Sequence, residues 1–169
     1  MKYFNGFSLY NEEGFFRQYI VDSELCVVGF SYGAQKAFEE VYNSKKRVDR
    51  LILLSPAFFQ NKKASFVRTQ LRYFELGQED YVENFLKNVS YPSNINLNKY
   101  LNLGSKNELE ELLVYEWDKD KLKELVQRGI NIEVFLGTSD KIVDTKVAKE
   151  FFSLVCTTYF VKNVGHLLG

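Results

Sequence analysis

Contiguous apolar runs alternate with amphipathic stretches over most of the chain, and the two patterns predict different elements. Leu25–Val28 and Leu51–Leu54 are apolar at every position. Strands that lack inside–outside alternation are covered on both faces, as in a parallel sheet. Lys2–Phe4, the alternating Ile130–Leu136 and Cys156–Val161 raise the number of predicted strands to about five. Between them lie helical stripes. Tyr32–Asn43 turns Ala34, Ala37, Phe38 and Val41 inward, and its small alanines permit close approach to a sheet. Asp118–Arg128 is closed by Gly129, and Thr145–Leu154 has Asp144 as its cap. Glu12–Ile20 carries Phe15, Phe16, Tyr19 and Ile20 on one stripe, with Asn11-Glu12-Glu13 supplying a cap and negative charge. Strands and helices alternating in this order specify an α/β domain built on a parallel sheet.

The rhythm changes between Phe58 and Trp117, where no convincing strand occurs. Amphipathic segments fall near Ala64–Leu76, Asp80–Asn88 and Asn107–Tyr115, broken by the loop Tyr91-Pro92-Ser93-Asn94. Residues 58–117 therefore form a helical insertion into a core made of residues 1–57 and 118–169, one domain overall.

Composition narrows the class. The 169 residues suffice for one proper core, and 46% hydrophobic with 26% charged residues is the balance of a globular protein in water. Formal net charge is zero, so no global field draws the chain to nucleic acid or to an anionic membrane. No apolar run approaches membrane-spanning length, and the first residues read as a strand rather than as a signal segment. Cys26 and Cys156 fall in predicted buried strands as small core hydrophobes, which fits a reducing, cytoplasmic setting. No metal-ligand spacing or phosphate-binding loop occurs, so no metal and no cofactor is expected.

Candidate chemistry begins at Gly29-Phe30-Ser31-Tyr32-Gly33. Apolar strand, G-x-S-x-G and helix in that order define a nucleophile elbow, which projects Ser31 from a strained turn. Gly29 and Gly33 leave room for it, and the N–H of Tyr32 opens the helix where an oxyanion would form. A serine needs a base that titrates near neutrality. The only histidine is His166, in a glycine-containing loop past the last strand. An acid must orient it. Asp140 lies in a strand-end loop, Gly137-Thr138-Ser139-Asp140; Asp144 competes, but its position suits a helix cap. Ser31, Asp140 and His166 follow each other in chain order, each past the carboxyl end of a different strand, where open α/β sheets bind ligands.

These motifs resemble the α/β-hydrolases. Phe4-Asn5-Gly6-Phe7-Ser8-Leu9 is similar to the L-H-G-W-G-L stretch of their carboxylesterases, which implies Phe7 N–H as a second oxyanion donor beside Tyr32. More narrowly, the chain resembles the BioV-type pimelyl-acyl-carrier-protein methyl ester esterases of biotin synthesis over nearly its full length. The shared features are F-x-G-F near the start, G-F-S-x-G-A-x-K-A at 29–37, L-L-S-P at 53–56, I-E-V-F-x-G-x-x-D-K-I at 132–142 and H-L-L at 166–168. The resemblance implies a minimal, truncated α/β-hydrolase fold of about five parallel strands with a helical lid insertion. It also implies a carboxylic ester hydrolase that removes the methyl ester with a Ser-His-Asp mechanism, and an acyl-carrier protein as partner. Lys62, Lys63, Arg68 and Arg72 on the first lid helix are the candidate carrier-binding residues. Phe58, Phe59, Phe66, Tyr73 and Phe74 are the candidate wall of an acyl pocket. A thioesterase, a small-ester carboxylesterase, and a non-catalytic carrier-binding module are the alternatives.

The chain departs from the family in its size. A full α/β-hydrolase sheet has about eight strands, and only 22 residues separate Gly6 from Gly29, too few for the usual strand and helix. The remaining strands would lie in sequential order, and right-handed crossovers would put most helices on one face. The other face needs a cover, for which the N-terminal helix and a partner chain are both candidates. Little chain follows His166 from which to build a closing helix.

Overall fold

A computed structural model describes all residues from Met1 to Gly169. Five parallel strands form one sheet in the sequential order β1 (Lys2–Phe4), β2 (Cys26–Phe30), β3 (Arg50–Leu54), β4 (Asn131–Gly137) and β5 (Thr157–Val161). Six helices accompany them: α1 (Tyr32–Asn43), α2 (Ala64–Leu76), α3 (Gln78–Ser90), α4 (Lys106–Val114), α5 (Lys119–Gln127) and α6 (Thr145–Phe152). The expected architecture is present, and α1 and α2 have the bounds that their hydrophobic stripes predict. Asp118 and Asp144 each accept backbone N–H bonds as caps of α5 and α6, and Gly129 turns with φ 86°.

Register decides which residues face which side, because neighbours along a strand point to opposite faces. Gly29, Leu53 and Val134 lie side by side on one face, and a Cβ on Gly29 would come within 2.3 Å of the Gly33 carbonyl in α1. On that side Trp117 joins the helices, packing on Phe38 of α1 at 5.3 Å and on Phe152 of α6 at 5.0 Å.

The opposite face carries Phe30, Leu54 and Phe135 in register. Here the chain between β1 and β2 is the cover. Phe16 packs on Phe30 at 4.7 Å and Tyr19 on Phe135 at 4.9 Å, and the Tyr19 hydroxyl donates to the Leu168 carbonyl. The cover thins toward β5, where Tyr159 stacks on Phe135 but is 43% exposed.

That covering segment corrects one expectation. Glu12–Ile20 is not an α-helix; only a 3-10 turn forms, over Glu12–Phe16. Asn11 is left-handed at φ 57° and makes no cap. Gly14 and the aromatic pair Phe15-Phe16 favour a helix poorly, and Glu12, expected to add negative charge at the helix start, is fully buried. No helix is long and apolar enough to cross a membrane.

Candidate active site

Each site loop prolongs the parallel ladder by one bond. Ser31 N–H donates to Leu54 O, Ser55 N–H to Phe135 O, and Thr138 N–H to Val161 O. Loops held this way share the backbone bonding of the sheet, which fixes where their side chains start. Ser31 stands at φ 54°, ψ −115°, a strained conformation for a residue with a Cβ. The elbow tolerates no side chain at Gly33, where a Cβ would sit 2.1 Å from Phe4 O.

The three chemistry-bearing residues meet. Ser31 Oγ lies 2.9 Å from His166 Nε2, and His166 Nδ1 lies 2.7 Å from Asp140 Oδ2. A carboxylate only accepts, so Nδ1 carries the proton and Nε2 is free to accept from Ser31. The other Asp140 oxygen, Oδ1, accepts from Ile142 N–H at 2.6 Å and Val143 N–H at 3.1 Å. Asp144 has no part in this arrangement; its side chain accepts from Val147 N–H as a helix cap. The hydroxyl of Ser31, the imidazole and the Asp140 carboxylate are all shielded from water: Ser31 is 4% exposed and His166 fully buried.

Two residues escaped the sequence reading. Ser55, left-handed at φ 40°, donates from Oγ to the His166 carbonyl at 2.7 Å and so anchors the histidine loop to the end of β3. Its only sequence signal is the S-P step that ends that strand. Glu12 accepts the Gly6 N–H at 2.7 Å, inside the loop that carries Phe7. A carboxylate in the polar run Asn11-Glu12-Glu13 gave no hint of burial.

Phe7 and Tyr32 both border a small hollow of about 250 Å³. Tyr32 is the first residue of α1 and its N–H has no intrahelical acceptor; Phe7 N–H makes no backbone hydrogen bond. The Phe7 ring is buried against Phe74 and Phe85, at 6.4 and 5.7 Å.

The lid helices border a larger cavity, open to solvent and about 660 Å³, among α2, α3, α4 and the Lys141-Ile142 step next to Asp140. Phe59, Phe66, Tyr73 and Lys62 line it. Phe58 and Phe74 do not, which corrects two of the expected wall residues. Phe58 turns into the core against Phe151 and Phe152, and Phe74 is fully buried between Phe7 and Tyr81. In both cases α2 and its leading loop must bury one apolar flank against the domain, and these rings are that flank. The triad does not border the cavity; Phe85 lines it on one side and packs on Phe7 on the other. Lys63, Arg68 and Arg72 are exposed, and no carboxylate lies within salt-bridge distance of any of them. No three acidic, His or Cys side chains gather as metal ligands.

Strand order, elbow and strand-end triad define the α/β-hydrolase fold, here in a five-stranded version. Solved structures share it. An esterase from Exiguobacterium antarcticum superposes with TM-score 0.65 at 16% identity, over 83% of this chain and 59% of that one. MenH from S. aureus matches with TM-score 0.62 at 16% identity, over 97% of this chain and 85% of its own. Carboxylesterase CesB from Bacillus subtilis gives 0.54 at 19% identity, over 85% and 53%. The chain thus spans little more than half the length of the two esterases. No family model and no curated protein matches it.

Proposed function

We propose that the chain is a serine hydrolase acting on carboxylic esters. One observation carries the reading: Ser31 Oγ, the His166 ring and the Asp140 carboxylate are linked at 2.9 and 2.7 Å, with the serine on a strained elbow. In the reaction Ser31 Oγ attacks the ester carbonyl while His166 Nε2 takes its proton. Asp140 stabilises the imidazolium, and the N–H groups of Tyr32 and Phe7 receive the oxyanion. His166 then protonates the departing alcohol. Water, deprotonated by the same nitrogen, releases the acid and restores Ser31. Two structural neighbours described as an esterase and a carboxylesterase support the ester class.

The finer reading is removal of the methyl group from pimelyl-acyl-carrier-protein methyl ester, with methanol as the leaving alcohol. Its support is the motif resemblance, the lid cavity walled in part by Phe59, Phe66 and Tyr73, and the uncompensated cations Lys63, Arg68 and Arg72 facing solvent at the start of α2 and along it. An acidic carrier or the phosphate of its prosthetic arm suits such a surface.

The test is mass spectrometry of the carrier-bound methyl ester after incubation with wild type and Ser31→Ala, run beside fluorophosphonate labelling. Loss of the methyl group with wild type alone supports both readings. A labelled Ser31 with an intact methyl ester retains the hydrolase and discards this substrate, and a panel of thioesters and short esters then identifies the class. An unlabelled Ser31 with no turnover leaves a carrier-binding module as the reading.

A further inference from the structure

Gly6 is the weak point of the loop that presents Phe7. Glycine has more backbone freedom than any other residue, yet no larger residue fits: a Cβ at Gly6 would lie 2.8 Å from the Phe30 ring, which itself packs on the His166 imidazole at 5.1 Å. The loop must therefore be stiffened from outside. Two bonds do this, one on each side of the glycine. Leu9 N–H donates to Gly6 O, which fixes the peptide plane that contains Phe7 N–H. Glu12 Oε1 accepts from Gly6 N–H at 2.7 Å, which fixes the plane before it.

The Glu12 carboxyl sits at a site hostile to it. It is fully buried, its Oε2 has no partner, and its other contact is a long bond from the Tyr3 hydroxyl at 3.3 Å. A buried carboxyl with an orphaned oxygen is costly, and an apolar side chain would fill the space more favourably. Oε1 is the atom with a task, whichever protonation state Oε2 adopts.

We propose that Glu12 is a positioning residue for ester hydrolysis: by holding Gly6 N–H it fixes the Gly6–Phe7 loop so that Phe7 N–H meets the oxyanion of the transition state. Glu12 touches no substrate and acts only through the loop. The proposal rests on the hydrolase reading above.

The experiment compares wild type, Glu12→Gln and Glu12→Met on a soluble p-nitrophenyl ester. It also measures inhibition by a trifluoromethyl ketone, whose adduct with Ser31 carries the same oxyanion. Glutamine keeps the acceptor Oε1, and methionine fills the volume without it. Glu12→Met should lower kcat about 10- to 100-fold with KM nearly unchanged, and weaken the ketone by the same factor. Glu12→Gln should keep kcat and ketone affinity close to wild type. A merely structural role would lower Tm without this selective loss of oxyanion binding. If Glu12→Met does not fold, Glu12→Asp, one methylene too short to reach Gly6, carries the same comparison. Wild-type kcat in Glu12→Met or Glu12→Asp, or an equal loss in Glu12→Gln, overturns the proposal while the hydrolase reading stands. An inactive wild type overturns the hydrolase reading and this proposal with it.

Discussion

The strand-end loops and the lid treat polar groups in opposite ways. Around the triad the key side chains are buried and engaged: Asp140 holds three partners, His166 bridges two side chains, and Ser55 locks the His166 carbonyl. In the lid, Lys63 before α2 and Arg68 and Arg72 on it reach solvent without counter-ions, and the ion pairs Lys106–Glu75, between α4 and α2, and Lys87–Glu83, within α3, join exposed groups. The first arrangement suits chemistry, where a preorganised dipole acts without reorganisation. The second suits recognition, where exposed charge sets encounter and partner choice more than affinity. Several polar bonds tie the two regions together, among them Gly104 N–H to Ser8 Oγ at 2.9 Å and Tyr10 N–H to Tyr100 O at 2.8 Å. Gln35 of α1 supplies two buried ones, donating to Ala57 O and to Leu112 O in α4 at 3.1 Å each. The Tyr32 hydroxyl adds a 2.5 Å bond to Glu111.

The largest effect that would sharpen this contrast is at Asp140. Asp140→Asn should cut kcat by about 10⁴-fold through loss of the imidazolium partner and the correct tautomer, with melting little changed. Asp144→Asn, at the cap of α6, should leave turnover near wild type. Equal losses, read by steady-state kinetics, would mean that the strand-end loop has no privileged acid.

Gln35→Ala tests the tie. It strands the Leu112 carbonyl, while Ala57 O keeps its bond from Trp117 Nε1–H at 2.9 Å, and should cost about 1–3 kcal/mol, seen as a lower Tm and as faster amide exchange concentrated in α4. Exchange rising equally in β2 and β3 would show that lid and sheet open as one unit.

Arg68→Glu with Arg72→Glu is a smaller and more selective change. KM for carrier-bound ester should rise several-fold and lose its dependence on salt, while kcat on a soluble ester stays unchanged. Equal effects on both substrates would break the division between chemistry and recognition.

The mildest prediction concerns pH. Burial raises the Glu12 pKa above its ordinary 4.5, so the native state keeps a proton that the unfolded chain has released. Stability must then fall as pH rises from about 4.5 through the native pKa. Glu12→Gln removes this component. The Tm of wild type relative to the variant should therefore decline across that window, and a flat difference would place the carboxyl in a water-like environment. Cys156, pushed up to about 12 by burial, should meanwhile resist thiol reagents at neutral pH in both proteins.

By itself the sequence determined the elements whose information is local. Unbroken apolar runs became β2 and β3, the alanine stripe became α1, Asp144 capped α6, and the two glycines of the elbow mark a turn that no Cβ could enter. The same locality made Ser31, Asp140 and His166 legible, because each lies in a loop that the strand pattern places at one edge of the sheet. Only the tertiary structure decided what depends on partners far along the chain. The 2.9 Å and 2.7 Å contacts of the triad join residues 135 and 26 positions apart. Ser55 finds the His166 carbonyl 111 residues away. Phe58 and Phe74 went into the core while Phe59, Phe66 and Tyr73 lined the cavity, a choice made by where α2 leans and invisible in an aromatic stripe. Glu12–Ile20 carried a helical stripe but gave up its helix to cover the sheet. Burying Phe16 against Phe30 and seating Glu12 beneath Gly6 outweighed the few bonds that a helix with a glycine near its start would have added.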